Sequence, residues 1–320
     1  MLVNGEGRLR AGWRLLFQFL LNYAVAAMAG SLVLAATGGP AAGGIARSSS
    51  ASNVPLYAVA ALAAVASVWA AGRFLDRRPF SGFGLRLSRA WWSDLAFGLL
   101  LGASLISGIF LFELAAGWVT VTGALRVVDG GAFFPAILAP VVLFLCVGFY
   151  EELITRGYQL TNLAEGFNVP GIGPTGAILL AWVLSSSFFG LLHAFNPNAT
   201  VLSTLNIALA GMMLGLGYVQ TGELAIPVGL HITWNFFQGN VFGLPVSGRD
   251  PAGATFLTTE QTGPDLWTGG PFGPEGGLLA PAAMVLGLVL ISLRVRRRTG
   301  KLSFHTPLAE SPIADHHTAR

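Results

Sequence analysis

Charge is what this sequence has least of. Only 10% of its 320 residues are Asp, Glu, Lys or Arg, against about 25% in an ordinary soluble domain. That scarcity excludes a water-facing surface over most of the molecule. Cysteine is nearly absent as well. The single one, Cys146, sits inside an apolar run, which excludes a disulfide framework and a cysteine metal site and suits a small buried hydrophobe. Neither H-E-x-x-H nor G-x-S-x-G occurs, so a ready-made metalloprotease helix and a serine nucleophile elbow are both missing. Ser185, Ser186 and Ser187 therefore carry no case for serine chemistry. Internal repeats, a soluble domain and the short alternating segments of a membrane β-barrel are lacking too.

What the chain has is long apolar runs. Residues are 53% hydrophobic and mean hydropathy is +0.66. A transmembrane helix needs about 20 apolar residues, and about eight stretches qualify, near 13–36, 54–75, 93–120, 134–160, 174–195, 200–219, 223–243 and 278–294. Helices close their backbone hydrogen bonds internally, as hydrocarbon demands. The expected fold class is all-α, a polytopic transmembrane bundle of about eight spans. It forms one multi-pass membrane domain over 1–302, with the chemistry concentrated at 134–243. The run from Leu15 to Ala36 is longer than the apolar region of a signal peptide, so a retained anchor is expected. The polar stretch 303–320, with Pro307 and Pro312, is expected to be a disordered tail. A Gly/Ser-rich loop is expected at 38–53 and a Gly/Pro-rich one at 244–277. Loops as long as the second are uncommon unless functional or disordered, and this one could shape access to a pocket.

The formal charge of +3 does not point to nucleic acid, because of where the cations lie. Arg8, Arg10 and Arg14 flank the first run, and Arg73, Arg77, Arg78, Arg86 and Arg89 separate the second from the third. Arg294, Arg296, Arg297, Arg298 and Lys301 follow the last. The alternate loops hold Arg47, Arg126 and Arg249. This is the positive-inside pattern, and with an even number of spans it puts both termini in the cytoplasm. The partner implied is the lipid bilayer.

An ionisable residue near the bilayer centre costs roughly 2.5–3.5 kcal/mol on insertion scales and is a functional candidate by default. The fourth run carries Glu151, Glu152 and Arg156. Glu152 and Arg156 are spaced i, i+4 with the acid first, the better orientation for a helical ion pair. Glu151 is rotated about 100° from Glu152, so it points elsewhere and is left free. The fifth run ends at His193, and the seventh carries His231 and Asn235, again i, i+4 on one face. Singly, each has a bland reading: charges solvated at an interfacial turn, a hydrogen-bonded helix-end histidine, a His/Asn pair tying helices together. Their convergence favours chemistry. A carboxylate beside a histidine can activate water, and a histidine with an amide can stabilise an oxyanion. Glu151, His193 and His231 would also suit zinc. His305, His316 and His317 lie in the polar tail and are given no role.

Taken together, Glu151-Glu152-x-x-x-Arg156, Phe189-x-x-x-His193 and His231-x-x-x-Asn235 resemble the motifs of the CAAX protease and bacteriocin-processing (CPBP) family, also called Abi or type II CAAX prenyl protease-like proteins. The three motifs span 151–235 alone, yet three in order on apolar runs are specific. The resemblance implies an intramembrane endopeptidase acting on a peptide or membrane-protein substrate. It implies Glu151 as general base, His193 helping to position the water, His231 and Asn235 at the oxyanion, and Glu152 with Arg156 as support. Both metal-dependent and metal-free descriptions of the family exist. No cofactor is favoured, and zinc stays open. A catalytically silent immunity or scaffold protein with the same fold is the competing reading. A proton-coupled transporter would show corresponding broken-helix halves, which are not seen.

One geometric condition attaches to this reading. The fourth and fifth helices should be antiparallel, and at ~1.5 Å per residue Glu151 and His193 share a depth only if the fourth helix continues beyond Tyr150 through Arg156 and Leu160.

Overall fold

The computed structural model describes residues 2–36, 50–128, 130–251 and 253–312. Along the chain run α1 (Ala11–Ala36), α2 (Ser50–Ala71) with a π-helical extension Gly72–Asp76, α3 (Arg89–Ala115), β1 (Val119–Val127) and α4 (Phe133–Glu152). A π-helical segment, Leu153–Leu160, joins α4 to α5 (Thr161–Phe167). Then come α6 (Gly173–His193), α7 (Val201–Thr221), α8 (Ala225–Phe236) extended by the π turn Phe237–Val241, β2 (Ala254–Gln261), the short α9 (Asp265–Thr268) and α10 (Leu279–Thr299). Among the described residues, seven helices are long and apolar enough to cross a membrane. The molecule is a polytopic helical bundle. The stretch expected as a span at 223–243 is the shorter α8 with its π turn.

The fourth helix meets the geometric condition. Phe133–Phe167 is one apolar rod of 35 residues, about 52 Å long at 1.5 Å per residue, so Glu151 lies near its middle. Sequence sets the ends of its neighbours. Ser88 accepts a hydrogen bond from Trp91 N–H to cap α3, and Thr200 and Ser203 form a reciprocal capping box on α7. Gly222, at φ 69°, closes the C-terminus of α7.

Helix α8 sits between α3 and α4, held by backbone approach. Side chains at Gly98 or Gly102 of α3 would collide with Ile226 O or Leu230 O of α8. A Cβ at Gly229 would lie 2.5 Å from Leu95 O, and one at Gly148 of α4 would lie 2.6 Å from Ile232. Small residues of this kind let helices pack where no hydrophobic effect drives them together. Thr233 Oγ1 adds a bond to Leu99 O at 2.7 Å.

A buried ionic knot joins the chain ends. Arg8 donates to Glu165 Oε1 at 2.6 Å, to Asp76 O at 3.0 Å and to Ser311 Oγ at 2.8 Å. Arg14 donates to Asp76 Oδ1 at 2.7 Å and Glu165 Oε1 at 2.8 Å. Both guanidinium groups are buried. The segments around Arg8 and Ser311 thus lie together at one end of the bundle, beside α5 and the end of the π-helical extension of α2.

Three expectations change. The Gly/Pro-rich stretch 244–277 is not structureless: β2 pairs antiparallel with β1, Val119 facing Gln261 and Val127 facing Ala254, so a two-stranded sheet is added to the helical bundle. The polar tail is ordered at least to Pro312, where a 3-10 turn, Thr306–Ala309, buries Leu308 and Ala309; residues 313–320, with His316 and His317, lie outside the described residues. Most of the loop expected at 38–53 also lies outside them, up to residue 49, and α2 already begins at Ser50.

Gly102→Leu should force α3 away from α8 and destabilise the protein by about 2–3 kcal/mol, the upper range for overpacking. A lowered unfolding midpoint in lipid or detergent checks this, and an unchanged midpoint would remove the close-approach argument.

Candidate active site

Helix α4 places its two glutamates on either side of one imidazole. Glu152 Oε1 accepts from His231 Nδ1 at 2.8 Å, while Glu151 Oε2 lies 3.9 Å from His231 Nε2. The 100° rotation between neighbours does separate the two carboxylates, but both reach the same ring, from opposite edges. A carboxylate only accepts, so His231 Nδ1 carries a proton and Nε2 is the atom presented to Glu151.

Glu152 is held from its other side by Arg156, whose Nη1 donates to Oε1 at 3.0 Å in the expected i, i+4 pair. Arg156 Nη1 also donates to Thr155 Oγ1 at 2.8 Å, and Nη2 to Gly211 O on α7 at 3.1 Å. Its guanidinium lies 4.5 Å from the centre of the Phe189 ring, a cation–π contact strengthened by desolvation. Both Glu152 and Arg156 are fully buried. The π segment begins just after Glu152, and Thr155 Oγ1 donates back to Glu151 O at 2.5 Å, satisfying a carbonyl where the i→i−4 ladder changes to i→i−5.

Phe189 links the second motif to the first. Its ring stands edge-on to His231, with centroids 6.2 Å apart, and tilts against His193 at 4.7 Å. His193 Nδ1 lies 2.8 Å from Phe189 O. Because a carbonyl only accepts, Nδ1 is the donor and Nε2 is left with the lone pair. His193, His231 and Asn235 line one cavity of about 40 Å³ together with Trp234, Ser247 and Glu275. A water needs about 10–15 Å³, so about three fit.

The six expected residues therefore form two overlapping groups that share His231. Glu151, Glu152, Arg156 and His231 make an ionic cluster, and His193, His231 and Asn235 surround the cavity. Glu151 makes no direct hydrogen bond to His193 among the described residues; its Oε1 accepts from Tyr150 Oη at 3.4 Å and its Oε2 has no hydrogen-bond partner there. Burial is uneven, since Glu151, His193 and Asn235 are half-buried while Glu152, Arg156 and His231 are buried. The sequence reading overlooked Thr155, Ser247, Glu275 and the ring of Phe189. Phe189 stood in the second motif; Ser247 and Glu275 sit in a Gly/Pro-rich stretch with no periodicity to flag them.

Among the described residues, no three His, Cys, Asp or Glu side chains converge as a metal-ligand set. Glu151 and His231 approach each other. Both His193 and His231 have Nδ1 on an oxygen acceptor with Nε2 turned elsewhere, as ligating histidines do. His193, however, does not join the other two in one ligand set. The side chains as arranged do not fit a zinc site, and no step below passes through a metal.

Arg156→Met should leave Glu152 with His231 as its one remaining charged partner and cost about 3–5 kcal/mol, as breaking a buried pair does. Adding Glu152→Gln to Arg156→Met should recover part of that loss. Equilibrium unfolding of the single and double variants measures both.

Residues 132–237 match the family model of type II CAAX prenyl endopeptidase Rce1-like proteins. A curated relative, the uncharacterized protein YyaK of Bacillus subtilis (strain 168), is 24% identical over 179 residues. That alignment covers 55% of this chain and 56% of the relative, so the chain spans about half the relative's length. No solved structure matches. The matched segment holds all six residues described above, and it is in this segment that the chain is similar to the Rce1-like type II CAAX prenyl endopeptidases.

Proposed function

We propose that this chain is an intramembrane endopeptidase, in which Glu151 activates a water and His231 with Asn235 receives the oxyanion. The observation that carries the reading is the setting of His231, with one ring edge tied to Glu152 and the other 3.9 Å from a Glu151 oxygen that lacks a hydrogen-bond partner among the described residues. At 3.9 Å the approach is too long for a direct hydrogen bond, and Glu151 is half-buried rather than sealed.

In this reading Glu151 takes a proton as the water oxygen attacks the scissile carbonyl carbon. The carbonyl π pair moves onto oxygen, where His231 Nε2–H and the Asn235 amide donate to it. Collapse breaks the C–N bond, and the proton held by Glu151 passes to the leaving amine. For His231 to donate through Nε2 while Nδ1 donates to Glu152, the ring must be an imidazolium. Glu151, Glu152, His231 and Arg156 then sum to zero charge, which suits a desolvated cluster. His193, with Nδ1 on Phe189 O, offers its Nε2 lone pair to orient the water. Glu152 and Arg156 act through His231 and touch no substrate. The reaction is read as metal-free. The protein is integral to the membrane, and the Arg-rich end of the bundle, where both chain ends meet, is assigned to the cytoplasm.

Comparing membrane proteomes that carry the wild-type or the Glu151→Gln protein should reveal at least one new peptide end that disappears in the variant. Loss of the general base should cost about 10²–10⁴-fold. A processed end that persists unchanged with both Glu151→Gln and His231→Ala overturns the reading.

Asn235→Ala should slow formation of the same end by about 10²–10³-fold, the usual effect of one oxyanion donor. Yield of that end after a fixed expression time measures it. Chelator treatment of isolated membranes should leave the yield unchanged, and a loss restored by added zinc would replace the metal-free reading.

A further inference from the structure

We propose that Glu275 is a positioning residue for His193, a buried carboxylate that holds the His193 ring so that Nε2 faces the cavity. The proposal rests on the hydrolytic reading above and gives a task to the segment between α8 and α10 that the family-like motifs leave unused.

Glu275 lies in a 3-10 turn, Pro274–Gly276, just before α10. It is 2% exposed, and it reaches the cavity that His193, His231 and Asn235 line. The turn is fixed from several directions. Asn206 Nδ2 on α7 donates to Glu275 O at 3.0 Å and to Gly277 O at 2.8 Å. Gly248 N–H donates to Phe272 O at 2.8 Å. Asn196, three residues after His193, donates through Nδ2 to Ser247 O at 3.1 Å. Phe272 is buried against Phe189 and Ile207, so the turn and the end of α6 form one packed roof over the cavity.

The carboxylate is hydrogen-bonded but short of positive charge. Its Oε1 accepts from the backbone N–H of Ser247 and from Ser247 Oγ at 2.6 Å. Ser247 adopts φ 48° to present both donors, a left-handed conformation uncommon outside glycine and asparagine. A buried carboxyl stays ionised only where a counter-charge adds to its hydrogen bonds; otherwise it neutralises. The titratable side chains that share the cavity with it are His193 and His231, and His231 already serves Glu152. His193 is left. Burial raises the Glu275 carboxyl above its ordinary range, and bonds from Ser247 and Gln238 with the nearby His193 offset only part of that rise.

With Nδ1–H fixed on Phe189 O, the ring keeps one tautomer, and a carboxylate across the cavity disfavours the flipped ring. The same carboxylate stabilises the partial positive charge on the His193 ring as its Nε2 accepts a hydrogen bond from the water proton that Glu151 does not take. This is the role of a second carboxylate behind a working histidine, supplied here through space rather than by direct bond.

A structural strut and a positioning charge are separable. Glu275→Gln keeps an oxygen for Ser247 and removes the charge, so the roof stays anchored; an unchanged unfolding midpoint verifies that. The purified protein, ¹⁵N-labelled at histidine in phosphatidylcholine nanodiscs, gives imidazole nitrogen signals, with that of His193 assigned by its loss in His193→Gln. Glu275→Gln should shift the His193 ring nitrogens and leave those of His231 in place. The peptide end lost in Glu151→Gln should also fall about 10–100-fold in yield, the range for outer residues that orient a functional histidine. In a His193→Gln background, Glu275→Gln should add no further loss. Unmoved His193 signals overturn the proposal, and so does a full yield of the peptide end. The ring signals need no substrate. If Glu151→Gln proves inert while the His193 signals still shift, the hydrolytic reading fails and the Glu275–His193 coupling stands.

Discussion

Much of this site depends on one shared oxygen. Glu152 Oε1 takes a hydrogen bond from Arg156 and another from His231, so a single atom ties α4 to α8. Arg156 extends the tie to α7 through Gly211 O and to α6 through the face of Phe189. Four helices thus meet on two side chains that are themselves out of water. Buried charge is a poor source of stability, but it is strict about geometry, because each partner is needed to satisfy the next. That strictness fixes the direction of the His231 ring, and with it the edge presented to Glu151.

Around that point the bundle has chosen closeness over bulk. Glycines on α3, α4 and α8 bring backbones together where leucines would hold them apart, which leaves α8 little freedom to slide or rotate. The π segment after Glu152 works with this. An extra residue per turn displaces the side chains that follow, and it lets Arg156 turn back towards Glu152 and outward to α7 within one stretch of helix. Where the ionic cluster ends, the cavity begins, and His231 belongs to both.

The helices were legible because hydrocarbon leaves few options: a long apolar run must close its own hydrogen bonds. The i, i+4 pairing of Glu152 with Arg156 and the separate direction of Glu151 followed from helical period alone. What period cannot say is which surface two rotated side chains will find, and here both found His231. The sheet was hidden for a different reason. Val119–Val127 follows directly on an apolar helix, and its partner Ala254–Gln261 lies more than a hundred positions away, polar and flanked by Gly and Pro. Val-Thr-Val-Thr at 119–122 does alternate as a strand would, but nothing local to either stretch names its partner. Glu275 was missed on the same ground, since an isolated acid among Gly and Pro reads as solvated. The order at Thr306–Ala309 was masked by polar neighbours, although Leu308 and Ala309 are what dock.

The ionic knot at the chain ends also sets a schedule for biosynthesis. Arg8 leaves the ribosome well before its partners, since its bond to Ser311 spans 303 positions and its bond to Glu165 spans 157. At ~5–20 residues per second, roughly 15–60 s separate the synthesis of Arg8 from that of Ser311. Until Asp76 and then Glu165 are made, Arg14 lacks the acidic partners it has in the folded knot, and a cation without them favours water, which retains this segment on the side where it was made. Translocon exit and final assembly are in this way timed by the same handful of charges.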